Sequence, residues 1–387
     1  MMLCGWSADW DFALRAALER CPNRRFTTFW TSRGKTSERA DRLIEQRHAV
    51  RLSISSADTF FSDIKDRILA LETFEANDPL SPKVAVARVK RYLSDRQHDI
   101  ALHDLVMNEV AAVRERTSAA HFPADNENPT PTSTQARLRR YEAALDVLLS
   151  ELVCIGYWAD DRQNELVAQS FRRVAEESDA PEGGMNVWIS LRRYPALLLL
   201  YGIGMAAIAH GNYGLLRSIF DLKILKKDHA GEKRVSVLLH DQAVMEHDHQ
   251  PVLLGRKEHT PLSNYLFNQL KETMGSYLPR EDEYERTFLW FEYLRGLASL
   301  DAQLSAEEAQ KYADDANSDP FLYWISVTRF GWKKMDWEPI IEQEIPKAME
   351  ANFFGRDTEK GHKKLLSLIK LSDRVIARFR MESRIWF

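Results

Sequence analysis

Cysteine is scarce in this chain: Cys4, Cys21 and Cys154 are the only three in 387 residues, and no two have paired metal spacing. That excludes a disulfide-stapled secreted scaffold and a zinc site built from cysteine pairs, and it fits free thiols in a reducing, cytoplasmic setting. Long apolar runs are missing too. The longest nearly uncharged stretch, Pro195 to Ala209, falls short of the roughly 20 residues that span a bilayer, so no membrane partner is expected. No export signal is evident at the start, where Asp9, Asp11 and Arg15 interrupt too early for an apolar h-region. Positive charge is not in surplus. A formal net charge of -4, from 53 Lys and Arg against 57 Asp and Glu, gives no global reason to expect nucleic acid as a partner.

What is present is enough apolar material, 44% of the residues, for the cores of two or three domains. Met1 to Trp10 reads as a strand that empties into the turn Gly5-Trp6-Ser7, and an amphipathic helix over Asp11 to Glu19 follows at once. Arg25 to Thr31 is a second strand pattern, Thr36 to Gln46 a helix with Ala40, Leu43 and Ile44 on one face, and Ala49 to Ile54 a third strand. Ser56-Ala57-Asp58 caps a helix running to about Phe74. The order β-α-β-α-β-α belongs to an α/β sheet that binds ligands at its strand ends. It reads as the middle of a domain, with further strands expected ahead of Met1.

Asp78-Pro79-Leu80-Ser81-Pro82 is a rigid break, which puts a boundary near residue 76. Val84 to Arg116 is helical by period, and the Pro-containing segment Phe122 to Thr134 reads as a mobile linker or exposed loop. Beyond Gln135 the pattern is helical: Ala136 to Ala159, Arg162 to Ser178, Trp188 to His210, Tyr213 to Leu225, Pro261 to Met274, Asp282 to Leu300, Ala306 to Ala316 and onward. The fold class is therefore α/β then α. A partial Rossmann-like lobe occupies 1–76, a helical connector with a Pro-rich linker 77–135, and a mostly α-helical domain 136–387.

Other motifs have plainer readings. Gly202-Ile203-Gly204-Met205-Ala206-Ala207 fits a dinucleotide fingerprint on paper, with Asp221 downstream, but no strand precedes it, and close helix packing explains the glycines better. His240, Asp241, His247, Asp248 and His249 lack convergent metal spacing and read as a solvated loop. Asp160-Asp161, Asp314-Asp315 and Glu281-Asp282-Glu283 read as helix ends. Arg192-Arg193, Lys226-Lys227, Lys333-Lys334 and Lys363-Lys364 form no concentrated basic stripe, and the aromatics Phe321, Tyr323, Trp324, Phe330, Trp332 and Trp337 suit a core or an interface. Gly204 to Tyr213 resembles a single tetratricopeptide-type hairpin without a repeating array.

The run Leu3-Cys4-Gly5-Trp6-Ser7-Ala8-Asp9-Trp10-Asp11, followed by Ala13-Leu14-Arg15, resembles the last nucleotide-contacting βα turn of the bacterial sirtuin-like family. Arg24-Arg25-Phe26-Thr27-Thr28-Phe29-Trp30, Ala40 with Leu43-Ile44, and Ala57-Asp58-Thr59-Phe60-Phe61 match in order farther along. The resemblance covers roughly the first fifth of the chain. It implies a sirtuin-type Rossmann lobe in which Gly5, Trp6 and Ser7 line an NAD pocket while Asp9 and Asp11 fix the turn. Gly5 would let backbone approach the ligand, and Ser7 with the following helix N-terminus would meet phosphate oxygens. The parent activity it implies is hydrolysis of NAD to nicotinamide and ADP-ribose in antiphage defence. The helical domain would sense a trigger or oligomerise, through a protein partner or self-association.

The family's catalytic histidine, amide side chain and early Gly-rich turn would lie ahead of Met1. No catalytic residue is therefore expected in this chain, and NAD binding is expected to be weak or absent. A different class of reading is a stand-alone interaction protein whose α/β lobe is a docking platform. In that case Gly5-Trp6-Ser7 is an ordinary strand-to-helix turn with Ser7 as N-cap. An open parallel sheet edge would favour oligomerisation or strand borrowing.

Overall fold

Three short parallel strands lie at the N-terminus, and helices dominate everything after residue 80. The computed structural model describes residues 1–21, 27–75, 81–125, 127–158, 160–176, 183–225, 232–255, 259–315, 328–333, 338–352 and 359–382. The chain divides into two compact units, Met1–Leu80 and Ser81–Phe387.

In the first unit β1 (Met2–Cys4), α1 (Phe12–Arg20), β2 (Phe29–Ser32), α2 (Glu38–Arg47), β3 (Val50–Ser53) and α3 (Ala57–Glu75) follow in chain order, and the sheet runs β1-β2-β3. Parallel pairing sets Leu3 beside Trp30 and Trp30 beside Arg51. Because strand side chains alternate, Leu3 and Trp30 share one face. Trp30, 2% exposed, is buried there with Leu18, Ala40, Leu43 and Ile44. β2 is shorter than its sequence pattern, matching the length over which β1 and β3 pair with it.

The second unit begins with α4 (Pro82–Leu93), α5 (Asp99–Arg116), α6 (Pro131–Trp158), α7 (Asp161–Ala175), α8 (Asn186–Leu191), α9 (Tyr194–His210) and α10 (Tyr213–Asp221). An antiparallel ribbon follows, β4 (Lys223–Leu225) with β5 (Glu232–Arg234). Then come α11 (Val235–Leu238), α12 (Asp241–Val244), α13 (Gln250–Leu254), α14 (Pro261–Gln269), α15 (Lys271–Met274), α16 (Glu281–Gln303), α17 (Ala306–Asp314), α18 (Arg329–Trp332), α19 (Glu338–Glu350) and α20 (Glu359–Glu382).

α9 is the centre of this unit. It is apolar all round, as a helix must be to be enclosed on every side, and Tyr194 through Ala207 are all buried. Its glycines allow close approach: a Cβ on Gly202 would lie 2.6 Å from Leu149 of α6, and one on Gly204 would lie 2.1 Å from the Phe291 ring of α16. Both glycines stand inside a helix, so the dinucleotide fingerprint does not apply here.

Several expectations need correction. The helix expected over Trp188 to His210 is two helices, because Pro195 is accommodated in the first turn of α9 and not in a helix interior. The helix expected to reach Leu225 stops at Asp221, and its last residues form β4. Val84 to Arg116 is interrupted between α4 and α5 at Ser94 and Asp95. The segment Phe122 to Thr134 is pinned down: Phe122 stacks on Tyr141 at 3.8 Å, the Pro123 carbonyl accepts from Arg137 at 2.7 Å, and Pro131 opens α6. Residues 81–135, expected as a connector, belong to the same compact unit as the helices that follow. The Asp78-Pro79-Leu80 break, the Arg24-Arg25-Phe26 match, Lys226-Lys227, Lys334, Phe321, Tyr323, Trp324 and Trp337 lie outside the described residues. Among the described residues no helix is long and apolar enough to cross a membrane.

Candidate functional site

The turn from Gly5 to Asp11 sits at the carboxyl end of β1, the edge where parallel α/β sheets present their ligand sites. Gly5 has φ +70°, in the left-handed region that favours glycine, and a Cβ built there meets nothing within 4 Å. Ala8 also has positive φ, at 63°, and is fully buried. Three side chains brace the turn through its carbonyls. Ser37 Oγ donates to the Ser7 carbonyl at 2.6 Å, Arg15 Nη1 to the Ala8 carbonyl at 2.9 Å, and Arg39 Nη1 to the Asp9 carbonyl at 3.3 Å.

The expected residues do different jobs. Trp6 is half-buried, its ring stacks on Trp30 at 5.5 Å, and it packs on the core of the unit instead of facing solvent. Ser7 is not the N-cap of α1. That position belongs to Asp11, whose Oδ1 accepts from the Leu14 amide at 2.9 Å. A carboxylate already occupies the helix N-terminus, so a phosphate there would meet a like charge instead of free amides. Ser7 Oγ accepts from the Asp9 amide at 3.3 Å, which leaves its O–H free to donate. The Asp9 carboxylate makes no hydrogen bond or ion pair among the described residues. The exposed face of the turn thus offers one hydroxyl donor, one free carboxylate and one glycine with open space above it.

The helical unit holds a second polar constellation, in its interior. Asp241, Tyr201, Glu292 and Ser263 are fully buried and Arg295 nearly so. Arg295 Nη1 lies 3.4 Å from Asp241 Oδ1, and Glu292 accepts from Ser263 at 2.6 Å, Tyr201 at 3.1 Å and the Phe330 amide at 2.8 Å. Burial, reinforced by the charge on Asp241, pushes Glu292 up to about 7. His240 is pushed down to about 4 by burial and by Arg295 and Arg193. Asp241 is therefore not in a solvated loop; the buried guanidinium compensates its charge. The network ties α9, α12, α14, α16 and α18 together, which is a bracing role in a core.

A groove of about 440 Å³ opens elsewhere on this unit, with Tyr157, Tyr277, His210 and Trp290 among its aromatic lining and Glu344 and Lys347 among its charged lining. Trp290 Nε1 donates to the Tyr213 hydroxyl at 3.2 Å, and that hydroxyl donates to Glu344 at 2.7 Å. Among the described residues no group of three or more His, Cys, Asp or Glu could hold a metal ion. No family model, curated protein or solved structure matches this chain.

Proposed function

We propose that the first unit is the C-terminal part of a sirtuin-like Rossmann lobe whose β1–α1 turn holds the ribose of a dinucleotide such as NAD. The parent protein would hydrolyse NAD in antiphage defence, and the helical unit would sense its trigger or assemble its oligomer. The observation that carries this reading is the turn itself: Gly5 in open left-handed geometry at a strand's carboxyl end, beside a Ser7 hydroxyl whose hydrogen is left to donate and an Asp9 carboxylate with no hydrogen bond or ion pair among the described residues. A ribose diol donates to a carboxylate and accepts from a hydroxyl, so this donor set suits the sugar better than the phosphates. The groove with Tyr157 and Trp290 gives the helical unit an aromatic floor with a charged rim, the composition of a recognition surface.

This reading gives these residues no catalytic role. His48 is the one histidine in the first 80 residues, and it caps α2 just before β3, at the opposite end of the parallel sheet from the turn. Titration of ADP-ribose tests the reading. Saturable heat that Asp9→Ala removes supports it, and heat that is absent or indifferent to Asp9 and Ser7 counts against it.

The interaction-protein reading has one observation in its favour. Among the described residues, Met1, Met2, Trp10, Phe12, Leu14, Val50 and Phe61 are large exposed hydrophobics within the first 61 residues, and exposed apolar residues that form a contiguous patch mark an interface. Sedimentation across a concentration series tests it. Self-association that Trp10→Ser with Phe12→Ser abolishes supports an interface, and a monomer at every concentration opposes self-association.

A further inference from the structure

Four arginines line one small cavity of the helical unit. Arg114 comes from the last turn of α5, Arg173 from the last turn of α7, and Arg192 and Arg193 from the α8–α9 junction; Glu176 is the one carboxylate among the described residues of the lining. The cavity is about 70 Å³, room for a tetrahedral anion. Arg192 donates to the Phe122 carbonyl and Arg193 to the Ala243 carbonyl, each at 3.2 Å. These bonds hold two guanidinium groups at the wall. Arg114 and Arg173 make no hydrogen bond or ion pair among the described residues. Helix ends account for part of this: a cation in a last turn complements the negative end of the dipole. Arg192 and Arg193 lie instead where α9 begins without a capping side chain.

We propose that this cavity binds the phosphate end of a phosphorylated small molecule. Guanidinium forks match phosphate oxygens in bidentate pairs, and four arginines in one lining give the cavity a cationic wall in a net acidic chain. The site is separate from the β1–α1 turn and independent of its reading, and inorganic pyrophosphate, which has no ribose, isolates it.

The experiment is calorimetric titration of inorganic pyrophosphate into the full chain at low ionic strength, repeated on Arg114→Gln with Arg173→Gln. Both side chains are exposed and make no described contact, so the double variant should keep the melting temperature of the parent. Saturable one-to-one heat that weakens about tenfold or more in the double variant is the expected result. No saturable heat, equal heat in parent and variant, or equally tight binding of succinate would overturn the proposal.

Discussion

Glu151 of α6 has no exposed surface, and neither of its carboxylate oxygens has a hydrogen-bond partner among the described residues. Burial, with Glu109 adding repulsion and Arg88 partly opposing it, pushes it from 4.5 up to about 8. A folded-state value above the unfolded one means that the native protein holds this proton more tightly. The contribution of the group is therefore fully present below pH 4.5 and is lost as pH rises through 8. Glu151→Gln mimics the protonated acid. Its melting temperature should gain on the parent progressively between those two values, whereas a difference that does not change with pH would contradict the assignment. At the candidate site the turn over Gly5, Trp6 and Ser7 is legible as a turn because a strand end announces itself in local chemistry, whereas Asp9, expected to fix it, makes no side-chain bond among the described residues. The braces are not legible: Ser37 and Arg39 reach the turn from 30 residues away, and nothing local marks a carbonyl as their target. Asp241 was misread for the same reason, since the Arg295 that makes its burial tolerable lies 54 residues downstream.

The α/β unit is legible as elements because its strands carry β-branched and aromatic residues and its helices carry a clear apolar face, so period and composition agree. Ser56 at the start of α3 is the cap type that sequence patterns reveal, whereas the caps of α1 and α2, Asp11 and Ser37, come from the structure. In the helical unit the signal fails at the centre: α9 is apolar on all sides, so no period separates it from α8, and only Pro195 marks its start. Two tests belong to this scale. Asp11→Ala should cost the first unit about 1 kcal/mol in denaturant unfolding by removing the cap on α1, and an unchanged midpoint would show that the cap is redundant. Gly204→Ala forces a methyl into the Phe291 ring, an overpacking that should destabilise the second unit by about 1–3 kcal/mol. A neutral result would mean that α9 and α16 can separate freely.

At the scale of the molecule, the first unit has among its described residues a core of six buried hydrophobics, Ala8, Leu18, Trp30, Ala40, Leu43 and Ile44, while the second is built around the enclosed α9 with buried residues from α6, α14 and α16. A core that small stabilises little on its own. Scanning calorimetry should therefore show a minor low-temperature transition ahead of the main one, with Asp11→Ala moving only the former; a single transition shifted as a whole would contradict two separately stable units. The most direct test of the account is titration of ADP-ribose into this chain and into Asp9→Ala. The account predicts a saturable binding component in the parent that is missing from the variant, and identical isotherms for the two would contradict it.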